Sequence, residues 1–344
     1  MVTPSSNTVT DLPTSPSAVT TAVAVGDMDG DGELDIVIAR ADFSPMQLLL
    51  DNGSGGYSTT DLSPSSGEFA VAVGDLDNDG DLDIVYGDSG VIYFMLNDGN
   101  GNFATPSMLV TSGSSVYPSA IILSDLDGDG SLDIFVGFSS GPCELYINNG
   151  DASITYDSFT VSNTAGFNDE ADDISVGDVN NDGHLDLLIV TSSPTKGDLL
   201  LLNNGDGTGY TKVNLPHGLT TTSSIAVGDV DDDGDVDIVI GIKNAANKLL
   251  LNDGTGTFTS TDLPGGSLNS VSVGLGDYDG DGDLDIIVGN FNSQNKWLMN
   301  DGSGNFNENN MPNNGLEFAA QGMALVGILY TENFHIVLTE TDLK

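Results

Sequence analysis

The 344-residue sequence predicts an all-β fold, a seven-bladed β-propeller of four-stranded antiparallel blades in which an N-terminal strand completes the last blade. Three observations lead there. An acidic loop recurs six times at steps of 48 to 53 residues. Each copy is followed by an Asn/Asp-Gly dipeptide between apolar runs, and the chain opens on a segment matching an outer strand and closes part-way through a seventh, degenerate repeat. Four-stranded units of about 40 to 50 residues repeated in series are the pattern of radial all-β architectures.

The loops read "GDMDGDGELDIVIA" (26–39), "GDLDNDGDLDIVYG" (74–87), "SDLDGDGSLDIFVG" (124–137), "GDVNNDGHLDLLIV" (177–190), "GDVDDDGDVDIVIG" (228–241) and "GDYDGDGDLDIIVG" (276–289). They place repeats starting near 22, 70, 120, 173, 224 and 272 in a single domain spanning 1–344. Within a repeat, "AVAVGD" (22–27) reads as a first strand and "LDIVIA" (34–39) as a second. "QLLLDN" (47–52) reads as a third and "YSTTDLS" (57–63) as a fourth. The Asn-Gly and Asp-Gly pairs between third and fourth strands are hairpin signals, because such turns need positive φ. Continuous apolar second strands fit sheets covered on both faces. A seventh copy, "GMALVGILYTENFHIVLTE" (322–340), keeps the strand pattern but carries Ile328 and Tyr330 where the loop acids would stand. "NTVTDLP" (7–13) matches the fourth strands "YSTTDLS" and "FTSTDLP", as a ring closed by its own N-terminus requires.

The chain carries 52 acidic against 7 basic residues, a formal charge of −45. That excludes nucleic acid and anionic membrane surfaces as partners, since phosphate recognition needs lysine and arginine. Acidity alone would fit disorder, but hydrophobic residues make up 38% and arrive in compact runs. Cys143 is alone, so no intrachain disulfide forms and a metal is the natural substitute staple. No apolar run approaches the roughly 20 residues that cross a bilayer. The opening "MVTPSSNTVT" lacks the basic and apolar segments of a signal peptide, which is expected of a mature or excised extracellular domain.

Each loop places oxygen donors at positions 1, 3, 5 and 9, with glycine at 6 and a carbonyl available at 7. Read in that order, positions 1, 3, 5, 7 and 9 are Asp27, Asp29, Asp31, Glu33 and Asp35 in loop 1, and Asp75, Asp77, Asp79, Asp81 and Asp83 in loop 2. Loop 3 has Asp125, Asp127, Asp129, Ser131 and Asp133; loop 4 has Asp178, Asn180, Asp182, His184 and Asp186. Loop 5 has Asp229, Asp231, Asp233, Asp235 and Asp237; loop 6 has Asp277, Asp279, Asp281, Asp283 and Asp285. Alternate positions converge in a tight turn, and hard carboxylate and carbonyl oxygens suit Ca2+. Only a backbone carbonyl is needed at position 7, so its side chain is free to vary. An EF-hand needs a bidentate Glu at position 12, where this chain has Ile38, Tyr86, Val136, Ile189, Ile240 and Val288. The ion is therefore expected at a strand-to-strand turn, with about six Ca2+ in all.

These motifs resemble the FG-GAP or VCBS repeat, found in the propellers of integrin α-subunit heads and in many secreted proteins. The resemblance covers nearly the whole chain. It implies a seven-bladed propeller and calcium held through the side chains at positions 1, 3, 5 and 9. Asn180 departs from that pattern with a neutral ligand that should weaken loop 4, and the last repeat departs altogether.

Antiparallel order puts the acidic loops and the hairpins at one rim. The connections from second to third strands lie at the other, and Arg40, Lys196, Lys243, Lys248 and Lys296 fall in or beside them. That rim is the expected ligand surface. Trp297 aligns with Leu48, Phe94, Leu145, Leu200 and Leu249 and is expected in the core. His184, His217 and His335 form no recurring nucleophile–base pattern. The expected function is a calcium-stabilised extracellular binding or adhesion module for glycan or protein ligands. The alternative is a polysaccharide-active, lyase-like propeller.

Overall fold

The computed structural model describes residues 20–40, 44–54, 56–62, 67–109, 117–150, 159–162, 170–193, 195–205, 207, 209–218 and 220–310. These residues form six consecutive antiparallel meanders, each laid out from an inner first strand to an outer fourth. Blade 1 comprises β1 (Thr20–Gly26), β2 (Asp35–Arg40), β3 (Gln47–Asp51) and β4 (Tyr57–Asp61). Blade 2 runs from β5 (Glu68–Gly74) to β8 (Ser107–Leu109), and blade 3 from β9 (Pro118–Ser124) to β12 (Phe159–Ser162). Blade 4 runs from β13 (Asp173–Gly177) to β16 (Tyr210–Asn214). Blade 5 holds β17 (Thr222–Gly228), β18 (Asp237–Ala245), β19 (Lys248–Asn252) and β20 (Phe258–Asp262), and blade 6 runs from β21 (Leu268–Gly276) to β24 (Phe306–Asn310). The expected seventh repeat near 322, with Ile328, Tyr330 and His335, and the N-terminal strand at 7–13 lie outside the described residues.

Burial follows strand order, for a reason legible in composition. Every residue of β10 (Asp133–Phe138) is buried, because blades 2 and 4 cover its two faces. In β4, "YSTTD", four of five residues are exposed, as polar outer strands should be. Between blades 2 and 3, Phe94 and Leu109 pack with Ile121, Ile134, Val136 and Tyr146. Comparable clusters fill the gaps between blades 1 and 2, 3 and 4, 4 and 5, and 5 and 6. Each fully buried aliphatic or aromatic side chain contributes about 1.5–3 kcal/mol, so the blade contacts carry most of the fold.

The glycine before loops 1, 2, 4 and 5 reflects this contact. A Cβ on Gly26 would lie 2.4 Å from Leu82 Cδ1, and one on Gly228 would lie 2.8 Å from Leu284 Cδ1. The apolar residue at position 8 of one loop thus packs onto the glycine that opens the preceding loop. Blades 5 and 6 also join through backbone pairing, where the far end of β18 meets β21 at Lys243↔Asn269 and Ala245↔Leu268.

Candidate metal centres

The loop backbone explains which residues can occupy it. Position 6 is glycine with φ between 89° and 104° in all six loops (Gly32, Gly80, Gly130, Gly183, Gly234, Gly282). An added Cβ would meet nothing there, so conformation alone demands glycine. Position 4 is also left-handed, which restricts it to Gly30, Asn78, Gly128, Asn181, Asp232 and Gly280. The bent chain folds over the position-1 carboxylate. Asp27 accepts N–H bonds from Gly30, Asp31 and Gly32 at 2.8–3.1 Å.

Position 9 lies deepest. Asp35 is fully buried and accepts Met28 N–H (2.7 Å) on one oxygen and Asp51 N–H (2.8 Å) on the other. The same two bonds recur at Asp83, Asp133, Asp186, Asp237 and Asp285, always from position 2 and from the residue at or just past the end of the third strand. Burial pushes these carboxyls well above the usual range despite the N–H bonds. They reach about 6 for Asp35, Asp186, Asp237 and Asp285, and about 7 for Asp83 and Asp133. At position 3, Asp29, Asp77, Asp127, Asp231 and Asp279 are also raised, by burial and by the charges of neighbouring carboxylates.

Positions 1, 3 and 9 converge. In loops 1, 2, 3, 5 and 6, one carboxylate oxygen from each lies within 4.8 Å of the others. Ligands of one Ca2+ sit about 2.3–2.6 Å from it, so oxygens sharing an ion lie within about 5 Å of one another. The donor set fits a hard cation on a second count as well. Asp29, Asp77 and Asp231 each keep a buried Oδ1 with no hydrogen-bond partner, a costly arrangement that a cation relieves. Loop 4 brings only the carboxylates of Asp178 and Asp186 to the equivalent places, because Asn180 stands at position 3. Its amide donates to Asp182 at 3.0 Å.

Positions 5 and 7 stand outside these groups. Asp31, Asp79, Asp129, Asp182, Asp233 and Asp281 each accept the N–H of position 7, which closes the turn. The position-7 side chains lean on the glycine of their own hairpin: Asp81 on Gly99, His184 on Gly205, Asp235 on Gly254 and Asp283 on Gly302. Glu33 and Ser131 lie close to Gly53 and Gly150.

One recurrent residue has a role that sequence reasoning did not anticipate. The third strand ends on Asp51, Asn148, Asn203, Asn252 or Asn300, and in blade 2 the equivalent Asn97 stands two residues past the strand end at Met95. Each of the five asparagines donates through Nδ2 to the position-2 carbonyl of the preceding loop (Met28, Leu76, Leu126, Val179, Val230) at 2.7–2.9 Å. Each also donates to the position-8 carbonyl of its own loop. The available signal was the asparagine column itself, which turn chemistry already explained.

At the far rim the junctions are less uniform. Arg40 is buried and donates to Gln47, which donates in turn to Asp61. Lys248 pairs with Asp262, Lys296 with Glu308 at 2.6 Å and Lys196 with Glu170 at 3.9 Å. Lys243 is half-buried in β18. Trp297 is half-buried in β23 (Lys296–Asn300), beside the fully buried Leu298. Between blades 4 and 5, Asp198 accepts Thr191 N–H (2.8 Å) and the Thr222 hydroxyl (2.5 Å), and its Oδ2 lies 3.0 Å from His217 Nε2. Both the His217 and Asp198 side chains are 1% exposed, so the pair holds the interblade loop and is closed to a substrate. Nearby, Asp173 accepts Ile225 N–H from the next blade at 3.0 Å.

A family model described as FG-GAP-like repeat matches residues 27–86, 75–136, 125–189, 178–240 and 229–288. No curated protein sequence matches the chain. Among solved structures, the chain is similar to an Agrocybe aegerita lectin described as recognising non-reducing terminal N-acetylglucosamine. That match has a TM-score of 0.62 and 21% identity, covering 85% of this chain and 80% of the lectin. It is also similar to BBS1N in its complex with ARL6DN, with a TM-score of 0.58 and 15% identity, covering 90% and 86% of the two chains. At these identities the likeness concerns the fold, which in both is a β-propeller.

Proposed function

The chain belongs to the FG-GAP-like repeat family, and from that premise we propose a calcium-stabilised seven-bladed propeller that acts outside the cell as a binding or adhesion module for a glycan or protein ligand. The observation that carries the calcium reading is the set of five three-carboxylate groups, three of which keep an orphaned buried oxygen. Positions 1, 3 and 9 would hold the ion, with the position-5 carboxylate and the position-7 carbonyl completing its shell. Bound calcium supplies charge that offsets the crowding of acids and stabilises the folded state by mass action. Six ions would bring the formal charge from −45 to about −33, which still suits a soluble surface.

Ligand binding is assigned in this reading to the far rim, where the junctions are less uniform and the basic residues lie. Two fold neighbours support a binding role, since one is described as a lectin and the other as a partner in a protein complex. A glycan array run in calcium and again in EDTA tests the glycan arm. Calcium-dependent capture that weakens when Lys243 is reversed to Glu is the expected result. Binding that survives both EDTA and the reversal would contradict this placement, and turnover of a polyuronate would favour the lyase-like alternative.

A further inference from the structure

The hydrogen bonds at the loop rim run on from one candidate ion site to the next. In loop 4, Val179 N–H donates to the position-9 carboxylate of Asp186 at 3.1 Å. The carbonyl of the same Val179 accepts Asn252 Nδ2 at 2.8 Å. The backbone N–H of Asn252 then donates to Asp237, the position-9 carboxylate of loop 5, at 2.8 Å. Asn300 repeats the step into loop 6, and the other three asparagines repeat it back to loop 1. One side chain and one backbone N–H of a single residue therefore hold parts of two adjacent loops.

The held atoms sit at the ligands. Position 2 lies between the position-1 and position-3 carboxylates, and it is pinned at its N–H by position 9 and at its C=O by the next blade's asparagine. Restraining that residue restrains both flanking ligands. We propose that the asparagine at or just past the end of the third strand is a positioning residue that couples neighbouring loops, so that calcium loads cooperatively along the ring. An ion that orders one loop leaves less ordering cost for the loop joined to it, and the effect is reciprocal.

Blade 1 shows where the path ends. Asp51 keeps the backbone bond to Asp35, but its carboxylate has no proton to donate backwards and instead accepts Gly53 N–H at 2.9 Å. In a closed ring the preceding repeat would be the one whose loop positions carry Ile328 and Tyr330. A path that starts after the repeat without loop acids is what coupling between ion sites requires.

This inference rests on the reading that the loops take calcium, and calcium titration calorimetry on the full chain separates the two. The wild type should bind with a Hill coefficient of about 2 or more. Asn203→Leu is close in volume and keeps the N–H that holds Asp186, but removes the bonds to the Leu126 and Leu185 carbonyls. It should bind the same number of ions with a clearly lower Hill coefficient, because loops 1–3 are cut from loops 4–6. Asn290→Leu, which removes an equally buried amide from the far rim, should leave the coefficient unchanged. Independent filling in the wild type, an unchanged coefficient in Asn203→Leu, or an equal fall in Asn290→Leu would each overturn the coupling. Absence of any calcium uptake would overturn the calcium reading beneath it. Should Asn203→Leu not fold, Asp229→Asn with hydrogen exchange at subsaturating calcium gives the answer. Amides of Val179 and Tyr278, in the loops flanking loop 5, should lose protection while Met28 in loop 1 keeps it, and a uniform change would count against coupling.

Discussion

The two rims of the propeller are built on opposite principles. At the loop rim the same bonds recur blade after blade: position 2 to position 9, third-strand residue to position 9, asparagine to the preceding loop. At the far rim recurring bonds are mixed with local departures. Ser119 bonds the Ala171 carbonyl between blades 3 and 4 and Ser223 makes the equivalent bond to the Ser270 carbonyl between blades 5 and 6, whereas between blades 4 and 5 Asp198 gathers His217 and Thr222. Repetition at one rim reflects a demand shared by all blades, the neutralisation of crowded carboxylates. Departures at the other are what the proposed ligand surface would use to distinguish one ligand from another.

The comparison breaks most visibly when calcium is withdrawn. Six loops bound at even tenfold excess over their dissociation constants contribute several kcal/mol together, so EDTA should lower the melting temperature by on the order of 10 °C or more. Differential scanning calorimetry with metal analysis checks this. Next in size is the contrast between single sites. Asp237→Ala leaves Val230 and Asn252 N–H groups without their acceptor and removes a ligand, which should cost about 3 kcal/mol or more in calcium and markedly less in EDTA. His217→Ala should cost about 1–3 kcal/mol, equally in both conditions, because its side chain touches no loop ligand.

The sequence made the repeat, the strand order and the loop acids legible because each recurs at short range. Loop position 4 was legible only in hindsight, since its restriction to Gly, Asn and Asp becomes meaningful once φ is positive. The asparagine ties were hidden for a different reason. Donor and acceptor lie 69 to 77 residues apart, and an asparagine before a glycine turn already has a local explanation. Asp198 was hidden because it fills a place held by Asn247 and Asn295 in later blades, where each amide oxygen accepts a backbone N–H of the second-strand end. Only its second oxygen, aimed at His217 and Thr222, makes it different. The five basic residues lie in or beside the connections from second to third strands, where Lys248 and Lys296 each answer an acid on their own outer strand.

A smaller effect distinguishes the rims by pH. The position-9 carboxyls stand at about 6 to 7 in the metal-free fold, above the unfolded value of 3.8. The folded state therefore binds more protons between these values, and metal-free stability should fall as pH rises from about 4 to about 7. With calcium the trend should reverse, because the ion requires the ionised carboxylates. Urea melts at pH 5 and pH 8, with and without EDTA, read the sign. The smallest expected change is at loop 4, where Asn180→Asp restores the third carboxylate and should strengthen that one site severalfold, measurable as a shift in the weakest step of the calcium isotherm.

The most direct measurement is an anomalous-scattering map from crystals grown in calcium. Peaks inside all six loops, each within bonding distance of the position-1 and position-9 carboxylates and weakest at loop 4, are the predicted result. Empty loops at saturating calcium would contradict the claim that these acids exist to hold ions.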